Sequence, residues 1–132
     1  MRIKAEKLTK RFGHFTASKE VSFEIADGRL TGFLGPSGGG KTTILRMLAG
    51  LETPDSGDIF FDDRRVNDIP PKERGVGFVF QNYALFRHMS VADNIAFGLT
   101  VQKRKKEDIR RRVAELVELT GLSGLEKRLP HQ

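Results

Sequence analysis

The sequence contains no cysteine among its 132 residues. That absence excludes disulfides and cysteine–zinc sites, and it sits easily with a reducing cytosol. Long apolar runs are also lacking, so no segment offers the roughly 20 residues that a helix needs to cross a bilayer. The opening MRIKAEKLTK mixes charged and apolar residues and does not read as a leader. Internal repeats and low-complexity stretches are missing. So is G-x-G-x-x-G, which disfavours a dinucleotide fold. What remains is ordinary for a globular domain, with 38% hydrophobic and 30% charged residues. A net charge of +6 admits nucleic acid, anionic lipid or a phosphorylated ligand as partner. The cations are scattered apart from one run near Lys103, so a solvated surface is the simpler reading.

Periodicity then organises the chain. Ile3, Ala5 and Leu8 fall roughly on alternate positions before Lys10, Arg11, Phe12, Gly13 and His14 break the pattern. Val21, Phe23 and Ile25 alternate cleanly with polar residues, as a half-buried strand does. Asp27 and Gly28 signal a tight turn. Residues 30–34 read as a short buried strand that feeds a glycine cluster. Beyond the cluster, Ile44, Leu45, Leu48 and Ala49 recur at helical spacing, and Gly50 suits a helix C-cap. Residues 59–61 form a brief strand, closed by Asp62, Asp63, Arg64 and Arg65. Residues 76–80 read as a further buried strand ending at Gln81, and 82–89 as irregular surface. Ser90 can cap a helix through Leu99, with Asp93 in its first turn. Ile109, Val113, Leu116 and Val117 share one face of a last helix that Gly121 ends. Residues 103–106 and 110–112 then lie on its solvated side. No aromatic residues interleave with those charges, so no nucleic-acid partner is expected. Strands alternating with helices point to the α/β class, with a mostly helical second half.

The glycine cluster carries the chemistry. Gly35, Pro36, Ser37, Gly38, Gly39, Gly40, Lys41 and Thr42 match G-x-x-x-x-G-K-[ST], the P-loop pattern. A phosphate chain can be wrapped by backbone N–H groups only where side chains stay clear, and three successive glycines provide that nest. A helix starting near Lys41 aims its unpaired N–H groups and positive dipole end at the same point. Lys41 adds a full charge for the β- and γ-phosphates, and the Thr42 hydroxyl can ligate Mg²⁺. A glycine-rich turn with an incidental lysine would not explain an apolar run leading straight in and an amphipathic helix leading straight out. Such a loop predicts nucleotide binding but not the nucleotide's fate, since kinases, GTPases, helicases and transport ATPases all use one.

Three further stretches narrow the family. LTKRFG (residues 8–13), GPSGGGKTTILRMLAGLETPDSGDI (35–59) and VGFVFQNYALFRHMSVADNIAFGL (76–99) occur in that order. Together they resemble the adenine-stacking loop, the Walker A helix and the Q-loop of the nucleotide-binding domain of ABC transporters. The resemblance covers essentially the whole chain. PPKERGVGFVFQNYALF is similar to import ATPases, and FRHMSVADNIAFGLTV most resembles the sulfate/thiosulfate importer subgroup. ATPases for maltose, polyamines, iron and phosphonates share much of this stretch.

This resemblance implies an α/β P-loop NTPase of the ABC ATPase type, with an N-terminal antiparallel β subdomain in residues 1–81. Residues 82–132 would be the exit from the Q-loop and part of a helical subdomain. It implies ATP and Mg²⁺ as ligands: Phe12 stacking on adenine, Thr43 at the α-phosphate, and Gln81 reaching Mg²⁺ and the attacking water. Phe12 stands where Tyr or Trp is usual, which keeps stacking but offers no polar edge. Residues 83–89, including Tyr83, Leu85, Phe86 and Met89, would face a transmembrane permease subunit. A second ATPase subunit would complete a homodimer on the cytoplasmic face of the membrane, with a solute-binding protein acting indirectly.

Hydrolysis needs a carboxylate on Mg²⁺, a second one on the attacking water, and a charge stabiliser near the γ-phosphate. In the family these are the Walker B Asp, the following Glu and a switch His, all downstream of a serine-glycine signature. Residues 122–125, Leu-Ser-Gly-Leu, share three letters with that signature but lack its second Gly and its Gln. Asp62 and Asp63 after an apolar run imitate Walker B, but the run is short and Arg64 and Arg65 follow at once, as in a hairpin. His131 would belong to the linker before the signature. The expectation is the N-terminal part of an ABC ATPase subunit, truncated before catalysis is complete, which binds ATP but does not turn it over alone. The alternatives are a nucleotide-binding fragment without hydrolysis and the ATPase of an importer for another solute.

Overall fold

In the computed structural model, which describes all 132 residues, the chain opens with two long strands, β1 (Ile3–Phe12) and β2 (Phe15–Ile25). Phe12 pairs with Phe15, leaving only Gly13 and His14 to turn the hairpin. Gly13, at φ 56°, supplies the left-handed backbone that so short a turn requires. The break expected at Lys10 is therefore shorter than residue types suggest, because Lys10 and Arg11 stay in the ladder opposite Ser18 and Thr16. Helix α1 (Lys41–Ala49) follows, then β3 (Ser56–Phe61) and β4 (Arg64–Arg65). The sheet runs β2-β1-β3-β4 and every pairing in it is antiparallel.

Register decides which face is buried. Ala5 lies opposite Ile59 and Ile3 opposite Phe61, so their side chains share the face that α1 covers. Ile44, Met47 and Leu48 of α1 join Ala5, Leu8, Ile59, Phe61 and Val66 in one core. Leu8, Met47 and Ile59 are fully buried, each stabilising the fold by about 1.5–3 kcal/mol relative to an exposed side chain.

Two expected strands do not form. Residues 30–34 and 76–80 join no ladder; Leu30 and Leu34 are fully exposed and Val79 nearly so. Phe33 and Val76 do pack against the core, Phe33 edge-on to Phe23 with ring centroids 5.2 Å apart. An apolar run becomes a strand only where a neighbouring strand pairs with its N–H and C=O groups, so β propensity reports packing context rather than an intrinsic preference.

By Cα proximity the chain divides into Met1–Phe78 and Val79–Gln132. The second unit holds α2 (Val91–Val101) and α3 (Lys106–Leu119). Ser90 caps α2 as expected: its Oγ accepts from the Asp93 N–H at 3.1 Å and donates to the Asp93 carboxylate at 2.6 Å. The first N–H groups of α2 are further occupied, Val91 donating to the Arg128 carbonyl and Ala92 to that of Glu126. The helix runs two residues past the expected end at Leu99. On α3, Val117 is buried and Ile109, Val113 and Leu116 half-buried, while Arg111 pairs with Asp108 and Arg112 with Glu115 on the solvated side.

One residue with no sequence signal holds the first unit together. Arg74 is only 7% exposed and has no carboxylate partner. Its Nη1 donates to the Met47 and Leu48 carbonyls, both at 2.9 Å; Nε donates to Ile69 (2.8 Å) and Nη2 to Asn67 (3.2 Å). The guanidinium thus satisfies the carbonyls left open where α1 ends and meets the negative end of the helix dipole. Burial lowers its pKa, yet arginine ionises so far above neutrality that the charge persists. Arg74→Ala is expected to cost about 3 kcal/mol, because buried carbonyls lose their donors. Arg74→Lys should lose more than half of that, since one ammonium cannot reach all four acceptors. Urea denaturation of the three chains measures both, and a loss under about 1 kcal/mol for the alanine variant would refute this role.

Candidate functional site

The glycine loop sits where a strand edge and a helix start meet. Gly38 and Gly40 both adopt φ 77°, and the Gly39 N–H donates to the Pro36 carbonyl at 3.1 Å, closing a turn. The helix begins at once, with the Ile44 N–H on the Gly40 carbonyl at 2.9 Å. Gly40 is the N-cap and has no side chain to accept from the first turn, and no acidic residue stands in that turn. The N–H groups of Lys41, Thr42 and Thr43 therefore point out of the helix end without an intrahelical partner. Such a terminus attracts anions by its N–H groups and by the dipole together.

Lys41 lies over this loop. Its ammonium donates to the Gly35 carbonyl at 2.7 Å and to the Pro36 carbonyl at 2.6 Å, so the side chain folds back across the nest. Both acceptors are neutral, and a phosphate oxygen would compete with them by charge. Thr42 is exposed and Thr43 half-buried beside it. Pro36 and Ser37 are exposed on the loop's outer rim. The loop is an open ledge, with residues 34–39 exposed, and a cavity of about 1010 Å³ lies elsewhere, along β1, β2 and β3.

What seats the loop is the absence of one atom. A Cβ on Gly40 would stand 1.9 Å from the Ala17 carbonyl oxygen of β2, so the helix start is packed directly on strand backbone. A Cβ on Gly38 would meet nothing within 4 Å. The two glycines share a φ but not a reason.

Phe12 stands at the tip of the β1–β2 hairpin, in the same unit, with 47% of its surface exposed. Its ring is available for stacking, and the Lys10 ammonium lies 5.4 Å from its centroid. Gln81 belongs to the second unit, exposed at the start of a tight turn in which the Tyr83 N–H bonds the Phe80 carbonyl. Tyr83 and Ala84 adopt φ 59° and 48°, an uncommon backbone for residues with side chains.

The exposed run after Gln81 divides. Tyr83 and Leu85 project into solvent, whereas the Phe86 ring packs on Phe97 at 4.3 Å and Met89 is half-buried. Asn94, which carries no motif, pins this segment from α2. Its Oδ1 accepts from the Phe86 N–H at 2.9 Å, and its Nδ2 donates to the carbonyls of Phe86, Met89 and Ser90. A polar amide inside an apolar helix was the available signal.

Asp62 and Asp63 are the turn of the β3–β4 hairpin, between paired Phe61 and Arg64. The Asp62 carboxylate accepts the Arg2 N–H at 2.8 Å, and Asp63 pairs with the Arg2 guanidinium at 2.6 Å. They are turn residues engaged by the N-terminal strand. Residues 122–125 likewise form a turn, with the Leu125 N–H on the Leu122 carbonyl.

Residues 18–132 match the family model described as ABC transporter. The chain is 54% identical to the sulfate/thiosulfate import ATP-binding protein CysA 1 of Agrobacterium fabrum, covering 100% of this chain and 39% of that protein. It is 52% identical to CysA 2 of Rhizobium meliloti (100% and 37%) and 51% identical to CysA of Mycobacterium bovis (94% and 35%). The chain thus spans under two-fifths of the length of these relatives. Among solved structures it resembles the dimeric post-hydrolysis state of the ATP-binding cassette MJ0796 bound to ADP and Pi, with a TM-score of 0.84 and 28% identity. A second dimeric structure of that bacterial ABC transporter cassette gives 0.85; each match covers 98% of this chain and 62% of the other.

The glycine contrast gives a direct test of the loop's seating. Gly40→Ala should destabilise the chain by more than about 2 kcal/mol, since backbone must move to admit the methyl group. Gly38→Ala should cost only about 1–2 kcal/mol, from left-handed backbone alone. Equal urea midpoint shifts for the two would contradict the packing described.

Proposed function

The chain belongs to the ABC transporter family, and from that premise we propose that it is the ATP-binding portion of an importer's energy-coupling subunit, serving an oxyanion of the sulfate or thiosulfate type. The observation that carries the reading is the uncapped start of α1, with Lys41 held across it by two exchangeable carbonyl contacts. The solute follows from the sulfate/thiosulfate import proteins that share about half of its residues.

In this reading, the N–H groups of Gly38, Gly39, Gly40 and Lys41 hold the phosphate chain. Lys41 exchanges its contacts to Gly35 and Pro36 for the β- and γ-phosphates. Pro36 and Ser37 shape the rim, and Thr43 reaches the α-phosphate. Phe12 stacks on the adenine.

The hydroxyl of Thr42 suits Mg²⁺, because it is a hard oxygen ligand. No group of three acidic or histidine side chains offers a site of its own, so the nucleotide's oxygens and water would supply the rest of the shell. The ion neutralises phosphate charge when bound.

Residues 1–81 would act as the nucleotide-holding part and 82–132 as the exit from it, with Tyr83 and Leu85 offered to a membrane permease subunit. No helix is long and apolar enough to cross a membrane, and the reading places the protein peripherally at the cytoplasmic face. Pairing with a second copy is supported by the dimeric cassettes it resembles.

Asp62 and Asp63 are engaged by Arg2 in a hairpin, which supports the reading that the 132 residues bind ATP without turning it over. Calorimetric titration of the purified chain should detect Mg·ATP binding, and Lys41→Ala should weaken it roughly 10- to 100-fold, the worth of a hydrogen bond to a charged group. Steady phosphate release by the same chain, abolished by Lys41→Ala, would overturn the binding-only assignment. Unchanged affinity in the variant would overturn the site.

A further inference from the structure

Lys10 makes more contacts than a surface lysine needs. Its side chain is only 13% exposed. The ammonium donates to the Thr53 carbonyl at 2.7 Å, pairs with Glu52 at 2.8 Å and Asp55 at 3.3 Å, and stands 5.4 Å from the centre of the Phe12 ring. Asp55 has a second hold on the same strand. Its other carboxylate oxygen accepts the Arg11 N–H at 2.7 Å, and its own N–H donates to the Thr9 carbonyl at 2.9 Å. The backbone just before Phe12 is therefore clamped at Thr9, Lys10 and Arg11.

The clamp grows out of the end of the phosphate-facing helix. Leu51 and Glu52 N–H groups bond the Arg46 carbonyl at 2.9 and 3.3 Å, so Glu52 continues directly from α1. We propose that Lys10 is a positioning residue for nucleobase binding: anchored to Glu52, Thr53 and Asp55, it covers one face of the Phe12 ring and leaves the other for a purine. This inference rests on the reading of Phe12 as the base-stacking side chain.

Three physical effects favour it. A phenylalanine at a hairpin tip has few packing partners, and a cation over its face restricts the ring before a ligand arrives. Restriction beforehand lowers the ordering cost that binding would otherwise carry. The cation also offsets the negative ring face, which opposes face-to-face stacking between two π-systems. The clamp stays charged at neutral pH. The Glu52 hydrogen bond raises the Lys10 pKa, while the Arg11 N–H, and after it Lys10, hold the Asp55 carboxyl below its ordinary value. Base and phosphates would then be measured from one helix, the phosphates from its start and the base from the loop at its end.

The chain has no tryptophan, so Phe12→Trp creates a single fluorescent reporter at the stacking position. In that background, Lys10→Met should lower the steady-state anisotropy and raise quenching by neutral acrylamide, whereas Lys10→Arg should leave both near the parent. Unchanged anisotropy in Lys10→Met overturns the proposal whether or not nucleotide binds. In the otherwise unaltered chain, Lys10→Met should weaken ATP about two- to fivefold and leave inorganic tripolyphosphate unaffected, with Lys10→Arg retaining ATP affinity. Equal weakening of both ligands would make Lys10 a loop tether only and overturn the proposal. Phe12→Ala separates the two readings. If it leaves ATP affinity intact, the stacking role fails and this inference with it; if it weakens ATP while Lys10→Met does not, this inference alone fails.

Discussion

The first unit depends on one buried cation with no anion opposite it. Arg74 spends its guanidinium on four carbonyls, two of them at the end of α1 and two on the segment after β4. A helix end buried without donors is costly, and here a side chain 26 and 27 residues downstream of the two carbonyls supplies them. Because that contact fixes the far end of α1, it also fixes the direction in which the near end points. The core then acts on a helix already oriented, with Met47 and Leu48 packed on Leu8 and Ile59.

The near end is fixed by a different device. Gly40 lets helix backbone approach the Ala17 carbonyl more closely than any side chain would allow. Between these two anchors, α1 presents uncapped N–H groups beside Lys41. The arrangement is electrostatic throughout: negative carbonyls are satisfied by Arg74 at one end, and positive N–H groups are left for an anion at the other. The hairpin tip with Phe12 is tied to the loop that follows the same helix, through Lys10, Glu52 and Asp55, so three features far apart in sequence share one frame.

Much of this was legible beforehand, for reasons tied to short range. The P-loop spacing, the amphipathic helix with Gly50 after it, and the Ser90 cap all depend on residues within one or two turns of each other. The Asp62–Asp63 hairpin was readable because Arg64 and Arg65 follow it immediately. The strand continues through Lys10 and Arg11, where residue type conceals a ladder made with Ser18 and Thr16. Residues 30–34 and 76–80 read as strands because their apolarity is real. Apolarity alone does not pair backbone groups, and Leu30 and Leu34 stand exposed.

Local residue patterns specify the glycine loop, the helix behind it, the capped second helix and the family. Each of these is written in neighbouring residues, through backbone freedom at glycine, helical spacing or a capping hydroxyl. Long-range packing makes Arg74 close α1, Asn94 pin the Phe86 turn, Gly40 and Gly38 serve different ends, and Lys10 lie over Phe12. Those outcomes join groups whose separation along the chain carries no local pattern, so only folding brings the donors to their acceptors.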